Sequence, residues 1–149
     1  MDLSERIPSL QERSRQGHSL LKRSRTAIAT ADPVLLSSWT LWFEGQGPLV
    51  AACTSEDDCL QRLRSSAANL LLCTDTLDGG CGTSLVRRAR ENDPQLKVLL
   101  LLQRPIPRTI LEAIDARCHG ICSAQATGTG TVAAALTAID TDGQYIDPL

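Results

Sequence analysis

From Thr26 onward, short apolar runs alternate with amphipathic stretches. TAIAT is followed by PVLLSSWTLWFE, PLVAAC by SEDDCLQRLRSSA, NLLLC by SLVRRARENDP, KVLLLL by RTILEAIDARC, and GIC by TVAAALTAID. KVLLLL and NLLLC are apolar at consecutive positions rather than at every second one, the pattern of strands covered on both faces. Five strand–helix pairs in succession predict a parallel sheet with helices on both sides. The helix signals agree. Ser55 precedes Glu56, Asp57 and Asp58, which puts a cap and three acids where unpaired N–H groups and the macrodipole favour negative charge. Leu60 and Leu63 then line one side of that helix, while Gln61, Arg62 and Arg64 face water. Trp39 and Phe43, four apart, share a face expected to pack on the sheet. Trp42 lies off that face and becomes an interface anchor if it is exposed.

Ahead of this pattern, residues 1–24 read as a separate helical arm. Ser9-Leu-Gln-Glu12 has capping-box spacing, and helix formers continue through Leu20, Leu21 and Lys22, predicting about four turns interrupted by Gly17. The arm is basic: residues 1–25 hold six of the 15 Lys and Arg against three of the 17 Asp and Glu. The remainder is acidic and the formal net charge is −2, so no global basic field draws nucleic acid. Arg13, Arg15, Lys22, Arg23 and Arg25 could touch phosphates, but basic residues diluted by serine and glutamate suit a solvated helix or a partner contact better. The longest apolar runs are far too short to span a bilayer and no signal-peptide pattern opens the chain, so a cytoplasmic protein is expected. Six cysteines, several inside apolar runs, read as reduced, packed thiols rather than a disulfide framework.

Several fragments, in order, resemble a response-regulator receiver of the NarL/LuxR type. IATADPVLL (Ile28 to Leu36) resembles the first strand and turn, and GGCGTSLVRRARENDPQLKVLLLL the third loop, helix and fourth strand. TILEAIDARCHGICSA resembles the fourth helix and fifth strand. TVAAALTAIDTDGQYIDP resembles the last helix and the start of a linker toward a DNA-binding helix-turn-helix. The resemblance covers residues 25–148. It implies a flavodoxin-like (βα)5 fold, a doubly wound five-stranded parallel sheet, here with an extra N-terminal helix. Functional loops are then expected at the carboxyl ends of the strands.

The family carries an acidic pair after the first strand, a phosphoacceptor Asp ending the third, a Ser or Thr ending the fourth and a Lys ending the fifth. The acids hold Mg²⁺, while the hydroxyl and the ammonium bind the acyl phosphate. Carried over position by position, the pattern falls on Thr30 and Ala31, Thr74, Leu102 and Ala124. None has the expected chemistry. Gly82, Pro94 and Lys97 match the family's loop glycine, Pro and Lys, and support the register that puts Thr74 rather than Asp75 at the phosphoacceptor position. The resemblance therefore implies a pseudo-receiver that is not an enzyme and carries no metal or cofactor. It would act independently of phosphorylation as a regulatory interaction or dimerisation domain, probing protein partners and most simply a second copy of itself. DNA contact would come only through a C-terminal helix-turn-helix beyond this chain, which stops where such a linker begins.

Alternatives remain open at this stage. A rearranged phosphoryl site would use Asp75 with Asp32, although Asp beside Gly or Pro is common turn chemistry. TGTGT (Thr127 to Thr131) lacks the Lys and spacing of a phosphate-binding loop and reads as a loop capping the last helix. Cys73, Cys81, Cys118 and Cys122, with His119, would suit a thiol-based redox sensor, but neither C-x-x-C nor a four-ligand metal spacing is present. On the last helix, small residues permit close approach, which suits either core packing or a helix–helix dimer; on the second reading Val132, Ala135, Leu136 and Ile139 join Trp42 as interface candidates.

Overall fold

In the computed structural model, residues 19–126 and 131–147 are described. The strands are β1 (Thr26–Ala29), β2 (Leu49–Cys53), β3 (Leu70–Thr74), β4 (Lys97–Leu102), β5 (Gly120–Ser123) and β6 (Tyr145–Ile146). The helices are α1 (Pro33–Phe43), α2 (Glu56–Ser66), α3 (Gly82–Asn92), α4 (Pro107–Asp115) and α5 (Thr131–Asp140), with a 3₁₀ turn at Ala124–Ala126. All strand pairs are parallel, in the order β2-β1-β3-β4-β5-β6. This is the flavodoxin-like arrangement expected from the pattern, with one addition. GQYIDP, which resembles the start of a linker, instead forms the two-residue edge strand β6. Tyr145 and Ile146 pair with Gly120 and Ile121, and the Asp147 carboxylate accepts from the Ser123 N–H and the Tyr145 hydroxyl.

The consecutive apolar residues of β3 and β4 are buried because each sheet face has its own helical layer. On one face Leu71, Cys73, Leu100 and Leu102 meet Leu60, Leu85, Val86, Ala89 and Ala113 of α2, α3 and α4. On the other, Leu70, Leu72, Leu99 and Leu101 meet Trp39 and Phe43 of α1 and Ala135, Leu136 and Ile139 of α5. Each fully buried Leu, Ile or Phe contributes about 1.5–3 kcal/mol, so the central strands supply much of the stability. The same packing engages α5. Ala135, Leu136 and Ile139 face their own sheet and are covered by it; a helix of small residues sits close to the strands, and Val132, half-buried, packs against the same cluster.

Local chemistry sets the helix starts. Asp32, before Pro33, accepts from the Val34 and Leu35 N–H groups and caps α1, while Ser55 accepts from Asp58 N–H and caps α2. Of the N-terminal arm only its end is described: residues 19–23 are helical. Leu20 and Leu21 enter the core with Trp39 and Phe43, and Arg23 pairs with Asp140 of α5. Gly47 is required here for space, since a Cβ would lie 2.1 Å from the Leu21 carbonyl oxygen. Ser9 to Glu12, Arg13, Arg15 and Gly17 lie outside the described residues, as do residues 127–130 of TGTGT.

Candidate functional site

Parallel strands bring the carboxyl ends of β1, β3, β4 and β5 to one edge of the sheet, and with them Thr30, Thr74, Leu102 and Ala124. Thr30 and Thr74 are completely buried. Their hydroxyl oxygens are 2.9 Å apart, and the Thr74 hydroxyl is 3.0 Å from the Thr76 carbonyl oxygen. Thr30 also accepts from the Asp32 N–H at 3.2 Å. A carbonyl can only accept and each hydroxyl has one proton. The Thr74 hydroxyl is the donor, its single proton shared between the Thr30 oxygen and the Thr76 carbonyl, while Thr30 accepts from Thr74 and from the Asp32 N–H. The Thr76 carbonyl receives the Ala31 N–H as well, at 3.3 Å. Where a carboxylate cluster would bind a hard cation, two neutral hydroxyls satisfy each other and the adjoining backbone.

Ala31 is partly exposed at the turn into α1, Leu102 is buried at the end of β4, and Ala124 opens the 3₁₀ turn after β5. A methyl or isobutyl group at these positions offers neither charge nor hydrogen bond to a phosphoryl group. Asp32 and Asp75 are engaged separately: Asp32 caps α1, whereas Asp75 turns to the β4–α4 loop. Its Oδ1 accepts from Gln103 N–H at 2.7 Å and its Oδ2 from Arg104 N–H at 3.1 Å. The change of direction from Thr74 to Asp75 follows from the alternation of side chains along a strand.

The loop carrying Asp75 is held tightly from the helix side. Gly82 N–H donates to the Asp75 carbonyl at 2.8 Å, and a Cβ on Gly82 would lie 2.1 Å from the Thr74 carbonyl oxygen. Glu56 supplies a second brace that sequence reading treats only as a first-turn acid. Its buried carboxylate accepts from Cys81 N–H and the Ser84 hydroxyl and pairs with Arg88, joining the starts of α2 and α3. Gly80 makes room for it, with φ at 112°. The only cue in the sequence is an acid followed by Ser84 and Arg88 one helical turn apart, and nothing local tells that the three converge.

The cysteines are free, and all but Cys81 are buried. Burial, with smaller contributions from Cys118, Asp75 and Cys81, pushes the Cys73 thiol well above its ordinary value. Burial likewise pushes Cys118 and Cys122 up to about 12. These thiols stay protonated at neutral pH and are poor nucleophiles. Burial first, and then Arg90 and Lys97, hold His119 down to about 4, so its neutral Nδ1 accepts the Val98 N–H at 3.1 Å. Among the described residues there is no group of three or more His, Cys, Asp or Glu that could hold a metal ion, and no helix long and apolar enough to cross a membrane.

The sequence matches no protein-family model, and no curated protein is similar to it in sequence. Solved structures are similar in fold. A two-component response regulator of the LuxR family from Aurantimonas sp. SI85-9A1 superposes with a TM-score of 0.74, over 84% of this chain and 90% of its own, at 17% identity. The isolated REC domain of RcsB from Salmonella enterica serovar Typhimurium, in the presence of the phosphomimetic BeF3−, gives 0.72 over 84% and 94% at 20% identity. RcsB in a structure of two dimers bound to two parallel DNAs gives 0.74 over 84% of this chain and 64% of that one, at 19% identity. The structural neighbours are thus receiver domains of LuxR-family response regulators, and the chain has the receiver fold.

Proposed function

We propose that this chain is a pseudo-receiver: a non-enzymatic regulatory domain of a cytoplasmic transcriptional response regulator, working by protein–protein contact and independent of phosphorylation. The observation that carries the reading is the buried Thr30–Thr74 hydroxyl pair. Acyl-phosphate chemistry needs a carboxylate nucleophile, a cation held by several oxygen ligands and a fixed positive charge for the phosphoryl oxygens. Thr30, Ala31, Thr74, Leu102 and Ala124 supply none of these. Asp75 is a poor substitute acceptor, since both its oxygens already take backbone N–H groups and it is buried.

The partner we favour is a second copy of this chain, met through the side of the sheet that carries α1 and α5. There Val34, Leu41 and Trp42 stand exposed on α1, and Val132 of α5 is half-buried. Contact with DNA, in a longer protein, would belong to a helix-turn-helix outside this chain; RcsB, similar in fold, binds DNA as dimers.

Intact-mass measurement after incubation with a small phosphodonor and Mg²⁺ tests phosphorylation independence. No phosphoryl adduct is expected. A Mg²⁺-dependent adduct that disappears in Asp75→Asn would overturn the reading in favour of a rearranged site.

A further inference from the structure

The β4–α4 loop runs Gln103-Arg104-Pro105-Ile106 into Pro107, the first residue of α4. The two prolines have no N–H, so the segment has three amide donors to satisfy. Ile106 N–H donates to the Arg104 carbonyl at 2.9 Å. The other two, Gln103 and Arg104, both donate to the Asp75 carboxylate, one to each oxygen, at 2.7 and 3.1 Å. Asp75 is 8% exposed, and bonds to an ionised acceptor sheltered from water are about twice as strong as neutral ones.

α4 has few other contacts to fix its start. Its N-cap is Ile106, whose side chain accepts nothing, and Ala113 is its one buried residue, with Ile110 half-buried. Thr109 closes back on the loop, bonding the Arg104 carbonyl and lying 2.9 Å from that of Ile106. Around this helix three apolar residues, Ile106, Leu111 and Ile114, are exposed beside Arg108 and Asp115. Asp75 itself cannot shift, because its backbone is tied to Gly82.

We infer that Asp75 is a positioning residue, a built-in anionic ligand of the β4–α4 loop that fixes α4 and its exposed apolar residues in one arrangement at all times. The inference goes beyond the function proposed above and stands on these hydrogen bonds alone; it is read by amide exchange in the unphosphorylated chain, so its failure is distinct from a failure of that proposal.

Amide hydrogen exchange on the full chain, resolved residue by residue by NMR, tests it without any phosphodonor. In Asp75→Ala, exchange at Gln103 and Arg104 and in the first turn of α4 is expected to rise by at least about tenfold. Leu71 in β3 and Leu100 in β4 should keep their wild-type rates. Asp75→Asn retains the shape and one neutral acceptor oxygen, and should give a smaller rise at the same amides. Wild-type exchange at Gln103 and Arg104 in either folded variant overturns the inference, as does an equal rise throughout β3 and β4. If Asp75→Ala does not fold, Asp75→Asn decides by the same criteria.

Discussion

At the level of single residues, the edge of the sheet is governed by proton counting. Thr30 and Thr74 form a closed chain of donors and acceptors in which each hydroxyl depends on the other. Thr74→Val keeps the volume but removes the hydroxyl that donates to Thr30 and the Thr76 carbonyl, and should cost about 0.5–1.5 kcal/mol, the net worth of a hydrogen bond. Thr30→Val leaves the Asp32 N–H unsatisfied and should cost a similar amount. The double variant has fewer orphaned groups than the two singles together, so its cost should fall short of their sum by about 0.5–3 kcal/mol. Urea unfolding of the four proteins measures this, and strictly additive costs would mean that the hydroxyls are not coupled. That Thr74 occupies the end of β3 was legible from the spacing to Gly82, Pro94 and Lys97. That it pairs with Thr30 was not, because the two are 44 residues apart and nothing in either neighbourhood names the other. The Asp75 and Glu56 braces escaped for the same reason: their partners lie 25 to 32 positions away.

At the level of elements, legibility followed the strength of periodic signals. β3 and β4 announced themselves through unbroken apolar runs, α1 through Trp39 and Phe43 four apart, and α2 through the Ser55 cap and spaced leucines. β6 has two residues in a polar stretch, and it exists only because β5 offers a free edge and Asp147 locks onto Ser123; such an element is invisible to local pattern. The end of the arm shows a subtler limit. With Leu20 and Leu21 as its main apolar residues it resembles a solvated helix by composition, yet both leucines are in the core. Leu21 is 1% exposed, and its backbone fits against Gly47 where no side chain could. Leu21→Ala should therefore cost about 2–5 kcal/mol, the range for emptying a packed leucine site. A chain starting at Arg25 should unfold at lower urea than one starting at Ser19. If Leu21→Ala changes stability by less than about 0.5 kcal/mol, the arm's last turn is a surface feature and not part of the core.

At the level of the whole molecule, the two sheet faces end differently at the surface. The α2–α3 side is laced with charge, including the Arg88 pairs with Glu56 and Asp57, and such a surface is readily solvated. On the opposite side α1 presents Val34 and Leu41, 73% and 67% exposed, with Trp42 at 44%. Positions 34, 41 and 42 are seven and eight apart and so fall on one side of the helix, and a Trp flanked by aliphatics is the composition of an interface centre. The net charge of −2 gives only weak repulsion between copies. Sedimentation equilibrium should show a dimer that dissociates on dilution, and Trp42→Ala should weaken it by about 30-fold, the effect of losing roughly 2 kcal/mol from a hot spot. Leu41→Lys should weaken it further, because a desolvated charge at the centre of the contact has no partner. Leu41 is not in the core, so Leu41→Lys should leave the unfolding free energy of the dissociated chain within about 0.5 kcal/mol of wild type, whereas Trp42→Ala also loses its edge contact with Phe43, worth about 0.5–1.5 kcal/mol. A wild-type chain that remains monomeric at all concentrations removes self-association from the proposed function. A dimer indifferent to both substitutions moves the contact off α1, and α4, whose exposed Ile106, Leu111 and Ile114 Asp75 holds in place, is then the surface to substitute next.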